Sequence, residues 1–429
     1  MEYICYSYAE VVLFSRVKGF RDIYGEEAVY WERIERIFKE TFHTFNFREF
    51  ILPVLERADV FHRGIGDTTD IVEKEMFAFK DRDDTMVALR PEGTASLVRA
   101  YVENKLYNPP SVRKYYYIGP MFRRERPQKG RFRQFYQAGV EVFGADGAAI
   151  DAEVIYLLRT LADKAGIGDM VTMEINSIGC PECRPAYYET LVAYFEQHKD
   201  GLCEDCKRRL GKNPMRILDC KVESCRAITK DAPVMLDYLC GECEIHFSDV
   251  KKYLTAFGVE YNVNKMMVRG LDYYVRTAFE MVTNHLGAQN AVGAGGRYDG
   301  LIKLLGGPEI PGIGFALGID RLVALAMQKD NIKDKGADVF IIAFKDISDV
   351  KCAELVKNFR ERSIIAEIDY AFRAMKKQIK SADSSGARFT LILGDEEMNR
   401  GEASVKNMET GEQTSVKLDA VVDYIQNKL

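Results

Sequence analysis

The sequence predicts an α+β protein in which an antiparallel sheet is flanked by helices, with a helical insertion and a C-terminal α/β domain. A strand–loop–strand pattern fills residues 113–143, and a cysteine-rich, largely helical segment at 178–262 lies between strand-like neighbours. Beyond residue 338, strands alternate with helices, which predicts a mostly parallel sheet in the C-terminal domain. A chain of 429 residues is also too long for one typical domain.

The composition excludes some classes of function. No apolar run reaches the roughly 18–20 residues that span a bilayer, and residues 3–14 lack the basic leader of a signal peptide. We therefore expect a cytoplasmic protein with no membrane partner. Acidic residues outnumber basic ones, 65 to 60, so any nucleic-acid contact must depend on local basic segments.

The first elements follow from periodicity. Residues 1–15 are predicted to be an N-terminal extension. An amphipathic helix then carries apolar residues at helical spacing, namely Ile34, Ile37, Phe38 and Phe42. The next strand is broken at Pro53, which could by itself mark an edge strand. A hairpin follows, with its turn at 81–84.

The segment RPEGT, residues 90–94, opens a helix. Pro91 is favourable near a helix start, and Glu92 lies where an acidic side chain stabilises the first turn. From the residues alone, a capping role for Glu92 and Thr94 is as good an interpretation as ligand binding.

The hairpin at 113–143 carries an unusual density of positive charge in its loop. Its basic residues are Arg123, Arg124, Arg126, Lys129, Arg131 and Arg133. A strand fixes the direction of an arginine side chain at its end, and arginines bind phosphate bidentately. Gln137 and Glu141 lie four residues apart, on one face of the following strand. The pattern predicts a polyphosphate site that continues into a polar recognition strand; the alternative is a solvated basic hairpin.

Three later segments complete the candidate site. RGLDYY (269–274) resumes the sheet, and AGGRYDG (294–300) has neither Rossmann nor P-loop spacing, so it could be a plain turn. In GFALGIDRL, Arg321 falls at a helix start, where a guanidinium and free backbone N–H groups suit phosphate, although it could instead pair with a carboxylate. Tyr273 and Tyr274, taken alone, are more typical of a core.

The insertion holds most of the cysteines. Eight of ten lie within it: Cys180, Cys183, Cys203, Cys206, Cys220, Cys225, Cys240 and Cys243. Two C-x-x-C pairs about twenty residues apart have zinc-ribbon spacing, which predicts a structural Zn²⁺ site. Its ligands would be Cys180, Cys183, Cys203 and Cys206. Reduced buried cysteines are the alternative, and no export signal supports a disulfide framework.

These motifs together resemble a known family. GPMFRRERPQKGRFRQF resembles motif 2 of the class II aminoacyl-tRNA synthetases, especially that of the histidyl-tRNA synthetases. GFALGIDRL is similar to motif 3, Pro53 matches the proline of motif 1, and most other class II families lack RGLDYY. The resemblance implies a class II catalytic domain at 16–327 containing the insertion, a linker at 328–338, an anticodon-binding domain at 339–429, and a homodimer built on motif 1.

The resemblance also implies an activity. Such an enzyme activates L-histidine with ATP and Mg²⁺, releases pyrophosphate, and transfers histidine to the 3′ end of tRNA(His). Adenylation is attack by a carboxylate on phosphorus, so it needs alignment and charge stabilisation rather than a general base. An arginine-rich site with no obvious base suits that requirement.

Residue roles are carried over position by position. Arg123 and Arg269 are the expected catalytic pair. The expected histidine-binding residues are Glu92, Gly93, Thr94, Arg123, Gln137, Glu141, Arg269, Tyr273 and Tyr274. The expected ATP-binding residues are Arg123, Glu125, Arg131, Phe135 and Arg321. Arg126 and Gln128 would reach the acceptor end of tRNA.

Three other functions are less consistent with the sequence. A regulatory subunit of ATP phosphoribosyltransferase typically has a degraded motif 2, loses parts of RGLDYY and lacks the C-terminal domain, whereas all three are intact here. A sensor domain of a regulatory kinase would follow a kinase motif, and none precedes this domain. RGLDYY argues against a class II synthetase of another specificity.

Overall fold

The computed structural model describes residues 14–66, 69, 71–126, 131–269, 273–287, 291–332 and 336–429. Contacts divide the chain into two units, Met1–Ile332 and Lys333–Leu429. The predicted extension at 1–15 lies outside the described residues except for its last two positions. Among the helices that are described, none is both long and apolar enough to cross a bilayer.

A large sheet dominates the described residues of the first unit. The strands there are β1 (Arg48–Glu49), β2 (Leu55–Arg57), β3 (Phe77–Lys80), β4 (Met86–Leu89), β5 (Arg113–Phe122), β6 (Gln134–Phe143), β7 (Thr172–Ser177), β8 (Asn262–Val263), β9 (Val275–Val282), β10 (Ala291–Arg297) and β11 (Gly312–Gly318). The large sheet has the order β1-β5-β6-β11-β10-β9-β7-β8, and β2, β4 and β3 form a small one. Pairing is antiparallel from β5 to β7 and parallel only at the two edges, so the predicted antiparallel sheet is confirmed.

Helices cover both faces of this sheet. They are α1 (Glu26–Thr44), α2 (Ala58–Ile65), α3 (Thr94–Glu103), α4 (Ala148–Lys164), α5 (Arg184–Gln197), α6 (Glu204–Leu210), α7 (Glu223–Thr229), α8 (Gly241–Ala256), α9 (Leu301–Leu304) and α10 (Ile319–Lys329). Helices α1, α4, α8 and α10 bury their apolar residues in one core with the sheet. In α1 the predicted spacing is confirmed, because Ile34, Phe38 and Phe42 are buried. Full burial of one such side chain contributes about 1.5–3 kcal/mol.

The predicted helical insertion is confirmed. Between the end of β7 at Ser177 and the start of β8 at Asn262, the chain forms helices α5 to α8 and short 3-10 turns, with no strand among these residues. The apolar residues of α5, α6 and α7 pack in a second core with α3 and with side chains from β5, whereas most of α8 packs in the first core. The insertion therefore contacts the same side of the unit as the helix that RPEGT opens.

The second unit is a smaller α/β domain. It contains β12 (Val339–Ala343), α11 (Asp349–Glu361), β13 (Ala366–Ile368), α12 (Met375–Ser384), β14 (Phe389–Leu393), α13 (Asp395–Arg400), β15 (Glu402–Asn407), β16 (Gln413–Lys417) and α14 (Val421–Gln426). The sheet order is β13-β12-β14-β15-β16.

The expectation of a mostly parallel sheet in this unit was only half right. Strands β13, β12 and β14 are parallel, whereas β15 and β16 are antiparallel to their neighbours. The cause is the length of the connections: only the turn at 408–412 joins β15 to β16. A parallel pair needs a crossover of a dozen residues or more, and this turn is far too short.

Candidate active site

The hairpin β5–β6 is the frame of the site. Its ladder runs without interruption from the Arg113↔Phe143 pair to the Phe122↔Gln134 pair. One further bond extends it, since the N–H of Arg123 donates to the carbonyl of Arg133 at 2.8 Å. Arg123 is thus held at the end of a regular strand, as the sequence predicted.

A cavity of about 310 Å³ lies beside this hairpin, over strands β10 and β11. It brings together most of the predicted histidine and ATP residues. Those that line it are Glu92, Thr94, Arg123, Glu125, Arg131, Phe135, Gln137, Arg269, Tyr273, Tyr274 and Arg321. Residues from four separate sequence segments therefore converge on one volume, whose size lies at the lower end of the range of small-molecule sites.

Arg123 is positioned by contacts on two sides. Its Nε donates to the carbonyl oxygen of Pro91 at 2.9 Å. Its guanidinium lies 5.1 Å from the centroid of the Phe135 ring, within cation–π distance. Its Nη1 lies 3.9 Å from Oε1 of Glu125.

Two more arginines approach the same end of the cavity. Arg131 Nη1 lies 2.9 Å from Oε2 of Glu125, and Arg321 donates to the carbonyl oxygen of Ala291. Burial lowers the pKa of Arg321, and repulsion from Arg131 and Arg123 lowers it further. Three converging guanidinium groups repel one another, so this end favours a polyanion.

Thr94, which lines the cavity, contacts a buried carboxyl group, that of Glu141, which is 1% exposed and is not itself among the residues that line the cavity. Thr94 Oγ1 donates to its Oε1 at 2.6 Å, and the Tyr298 hydroxyl donates to Oε2. Burial, together with repulsion from Glu92, raises the pKa of Glu141 to about 8. No ion pair in the described part of the chain includes Glu141, so a ligand N–H is a suitable partner for it.

Glu92 both lines the cavity and caps a helix. Its carboxylate accepts the backbone N–H of Thr94 at 2.7 Å and that of Ala95 at 2.9 Å. The predicted capping role is therefore confirmed for Glu92 but not for Thr94, whose hydroxyl donates to Glu141 instead. Burial raises the pKa of Glu92, although the two N–H donors oppose that shift.

Arg269 lies on the wall formed by the tyrosines. It donates to a carboxylate oxygen of Glu280 on β9, and its guanidinium lies 5.6 Å from the centroid of the Tyr274 ring. The Tyr273 hydroxyl and Gln137 Oε1 are buried and have no hydrogen-bond partner among the described residues. Both line the cavity, and leaving such an atom unpaired costs about 1–3 kcal/mol.

Glycines make room for these side chains. A Cβ on Gly314 would lie 2.0 Å from Oε2 of Glu141, and one on Gly296 would lie 2.8 Å from Cδ1 of Tyr274. Real Cβ atoms do not approach this closely. The glycines of β10 and β11 therefore allow the side chains of the site to lie close to the sheet.

Three residues that contact the site were missed. Tyr298 donates to Glu141, Glu280 holds Arg269, and Asp320 lines the cavity while accepting the backbone N–H of Tyr136 at 2.8 Å. Tyr298 lies within AGGRYDG and Asp320 precedes the predicted Arg321, so neighbouring motifs carried a signal for both. Nothing local distinguishes Glu280 from other strand residues.

Some predicted residues lie elsewhere. Gly93 does not line the cavity, and a Cβ there would lie 2.3 Å from the Tyr117 ring. Arg126 is exposed on the hairpin loop, and Gln128 lies outside the described residues. Arg297 of AGGRYDG is fully buried and pairs with Asp151 instead of facing the cavity.

The predicted grouping of the cysteines was wrong. The structure separates them into a clasp cluster (Cys180, Cys183, Cys240 and Cys243) and a distal cluster (Cys203, Cys206, Cys220 and Cys225). The first C-x-x-C pair meets the last one because the two ends of the insertion return to neighbouring strands of the sheet. Spacing along the chain could not show that return.

Comparisons with known proteins agree with this architecture. A family model described as histidyl-tRNA synthetase matches residues 19–180 and 228–322, and one described as an anticodon binding domain matches 338–428. A histidine–tRNA ligase of Halothermothrix orenii is 49% identical, over 95% of this chain and 98% of its own. One from Trichlorobacter lovleyi is 47% identical, over 94% and 96%.

A solved structure of apo histidyl-tRNA synthetase from S. aureus is also similar. It is 37% identical, with a TM-score of 0.81, and the match covers 96% of this chain and 100% of that one. The antiparallel sheet, the arginine-lined cavity and the C-terminal domain are those of a class II aminoacyl-tRNA synthetase. Within that class, the chain belongs to the histidyl-tRNA synthetase family.

Proposed function

We propose that this cavity carries out the histidine–tRNA ligase reaction of the family. L-Histidine and ATP give histidyl-adenylate and pyrophosphate, and histidine then passes to the 3′ end of tRNA(His). One observation carries the proposal: a single cavity has three arginines at one end and, at the other, Thr94, whose hydroxyl donates to the buried carboxyl group of Glu141, which has no cation paired to it among the described residues. A molecule with a triphosphate and one with an imidazole N–H complement these two ends.

Arg123 and Arg269 would be the catalytic pair. Each is fixed before substrate arrives, Arg123 by Pro91 and Phe135, and Arg269 by Glu280. Their positive charge would hold the α-phosphate and the attacking carboxylate in line, and stabilise charge that develops on phosphorus. Fixed donors lose little orientational freedom during the reaction, which is why these contacts support the role.

Histidine would bind at the tyrosine end. Its residues would be Glu92, Gly93, Thr94, Arg123, Gln137, Glu141, Arg269, Tyr273 and Tyr274. Glu141 would accept the ring N–H, and the hydroxyl of Tyr274 would donate to the other ring nitrogen. Gln137 Oε1, which lacks a partner among the described residues, would accept a hydrogen bond from the substrate's ammonium group. Gly93 would contribute space rather than a contact.

ATP would bind at the arginine end. Arg131 and Arg321 would hold the outer phosphates, Phe135 would stack on adenine, and Glu125 would accept a hydrogen bond from its amino group. Mg²⁺ would enter with the phosphates, as this ion usually does.

The tRNA would contact both units. Arg126 and Gln128 would reach its acceptor end, and the exposed Lys376, Lys377 and Lys380 of α12 would meet its backbone near the anticodon. Such contacts predict binding that weakens with added salt.

The enzyme would work as a homodimer in the cytoplasm. The segment after β1 exposes apolar side chains, with Ile51 at 86% and Leu55 at 43% exposure. Adjacent exposed apolar residues are typical of a protein interface. Strand β1 is also the edge strand of the main sheet, and edge strands are where sheets of two copies can join.

The direct test is ATP–pyrophosphate exchange with each of the twenty amino acids. Histidine alone should support rapid exchange. Exchange that depends on another amino acid would contradict the specificity, and no exchange with any would favour a non-catalytic, histidine-binding role.

A further inference from the structure

The two cysteine clusters of the insertion lie outside the cavity and have no part in the proposed reaction. In each, four Sγ atoms lie within 4.8 Å of one another. The sulfurs are turned inward: Cys183, Cys206, Cys225 and Cys243 are at most 3% exposed. Eight thiols have thus been gathered into two compact groups of four.

The sulfur–sulfur distances identify the kind of group that would fit. They are 3.6 Å for Cys180–Cys183, 3.8 Å for Cys180–Cys240 and 3.9 Å for Cys203–Cys220. A tetrahedral Zn²⁺ with Zn–S bonds of about 2.3 Å requires sulfurs about 3.8 Å apart. A disulfide requires about 2.0 Å, so these distances fit one metal ion and not a covalent bridge.

Backbone groups support the same geometry. The N–H of Cys240 donates to Sγ of Cys183 at 3.1 Å, and the N–H of Cys203 donates to Sγ of Cys225 at 3.1 Å. Four thiolates around Zn²⁺ carry a net charge of −2, and N–H donors disperse it. Each cluster thus has one such donor directed at a ligand sulfur.

We propose that this protein holds two structural zinc ions, one in the clasp cluster and one in the distal cluster. Four sulfur ligands in a tetrahedron select Zn²⁺ or a single iron among the common metals. Each set is complete with four cysteines, which leaves no open position for a reacting ligand. The ions would therefore stabilise structure and take no part in chemistry.

The two sites would stabilise different parts of the insertion. The clasp cluster joins the turn after β7 to the start of α8, so it closes the two ends of the insertion on each other. The distal cluster joins α6 to α7. A module of short helices gains much of its stability from such cross-links.

The clasp cluster also lies next to the histidine end of the cavity. Backbone bonds of 2.8 Å link Ile178 and Gly179 to Arg276, and the guanidinium of Arg184 donates to the carbonyl of Tyr274. Both segments flank Cys180 and Cys183. Arg184, Arg269 and Tyr274 also line a second cavity of about 210 Å³. Zinc in the clasp cluster would therefore hold Tyr274 in position.

The test begins with metal analysis of the full-length protein after dialysis against a chelator. We expect two zinc atoms per chain and no stoichiometric iron. Titration of the native protein with a thiol-binding mercurial should release both. Absence of zinc, or iron in its place, would overturn the proposal, and neither measurement depends on aminoacylation.

Paired substitutions locate the ions. Cys220→Ser with Cys225→Ser should leave one zinc, and Cys240→Ser with Cys243→Ser should also leave one. The matched control is Cys352→Ala, a buried cysteine of the second unit, which should keep both. Two zinc atoms retained in either double variant would refute the site. If a variant does not fold, the number of zinc ions that the mercurial releases from the unmodified protein still tests whether both clusters hold zinc.

Kinetics of the two double variants distinguish the role of the clasp ion from that of the distal ion. This comparison rests on the proposed activation of histidine. Loss of the clasp ion should raise the KM for histidine on the order of tenfold, with a smaller change in the KM for ATP. Loss of the distal ion should change neither. Equal effects in both variants would contradict the positioning of Tyr274.

Discussion

At the scale of single residues, the site depends on charges that burial makes costly. Glu141 is surrounded by hydroxyls and by another carboxylate, and the three arginines converge at the other end. The buried Glu141 and the converging arginines are each unfavourable without a ligand. They become favourable when a hydrogen-bond donor binds Glu141 and an anion binds the arginines. In the proposed reaction, electrostatics would therefore supply both the affinity and the selectivity of the cavity.

The first prediction concerns Glu141→Gln. Because the folded-state pKa of Glu141 is raised to about 8, the folded protein holds an extra proton that the unfolded chain releases above about pH 4.5. The stability that the raised pKa of Glu141 gives to the folded protein is present at low pH and is lost as pH rises through about 8. Gln cannot titrate, so between pH 5 and pH 8 the variant should gain on the order of a few kcal/mol relative to the unmodified protein.

Urea unfolding at several pH values, without ligand, measures this difference. The variant should also bind histidine more weakly, since an amide is a poorer acceptor for the ring N–H. Parallel pH profiles for the two proteins would rule out a buried, titrating Glu141.

At the scale of elements, the site is built from a hairpin and two glycine-bearing strands. The hairpin could be predicted because its apolar alternation and its turn residues are local. The cysteine grouping could not, because Cys180 and Cys240 meet only after sixty residues of chain have folded. Glu280 was missed for a different reason: it lies only eleven residues from its partner Arg269, but nothing local distinguishes it from other strand residues.

A second prediction tests the role of strand β11. Gly314→Ala would place a methyl group 2.0 Å from the Glu141 carboxylate and 2.2 Å from the Val140 carbonyl. Overpacking of this kind costs about 1–3 kcal/mol, and displacement of Glu141 should weaken histidine binding. Calorimetric titration with histidine measures the change in Kd.

The matched control is Gly211→Ala, because a Cβ there meets no atom within 4 Å. It should leave the Kd for histidine unchanged. If Gly314→Ala bound histidine as tightly as this control, the close packing of β11 against Glu141 would have no functional role.

At the scale of the whole molecule, two units have separate cores. The order of motifs along the chain was enough to predict a catalytic unit followed by an anticodon-binding one. It was not enough to predict the mixed pairing of the second sheet, which depends on how short one connection is.

A third prediction follows from this separation. A chain that ends at Ile332 keeps the whole cavity and its core. It should retain histidine-dependent pyrophosphate exchange within about threefold, because the described residues that line the cavity all belong to the first unit. Charging of tRNA(His) should fall by at least tenfold, since anticodon contacts would be lost. Equal loss of pyrophosphate exchange and of tRNA charging would contradict the assignment of adenylation to the first unit and of anticodon binding to the second.

The central claim is that fixed guanidinium groups align the histidine carboxylate with the α-phosphate. Single-turnover formation of histidyl-adenylate tests it most directly, with Arg269→Ala compared with Arg124→Ala, an exposed arginine of the same charge that does not line the cavity. Arg269→Ala should slow adenylate formation by at least about 10²-fold, as loss of one preorganised donor does, while Arg124→Ala stays near the normal rate. A near-normal rate for Arg269→Ala would contradict the account.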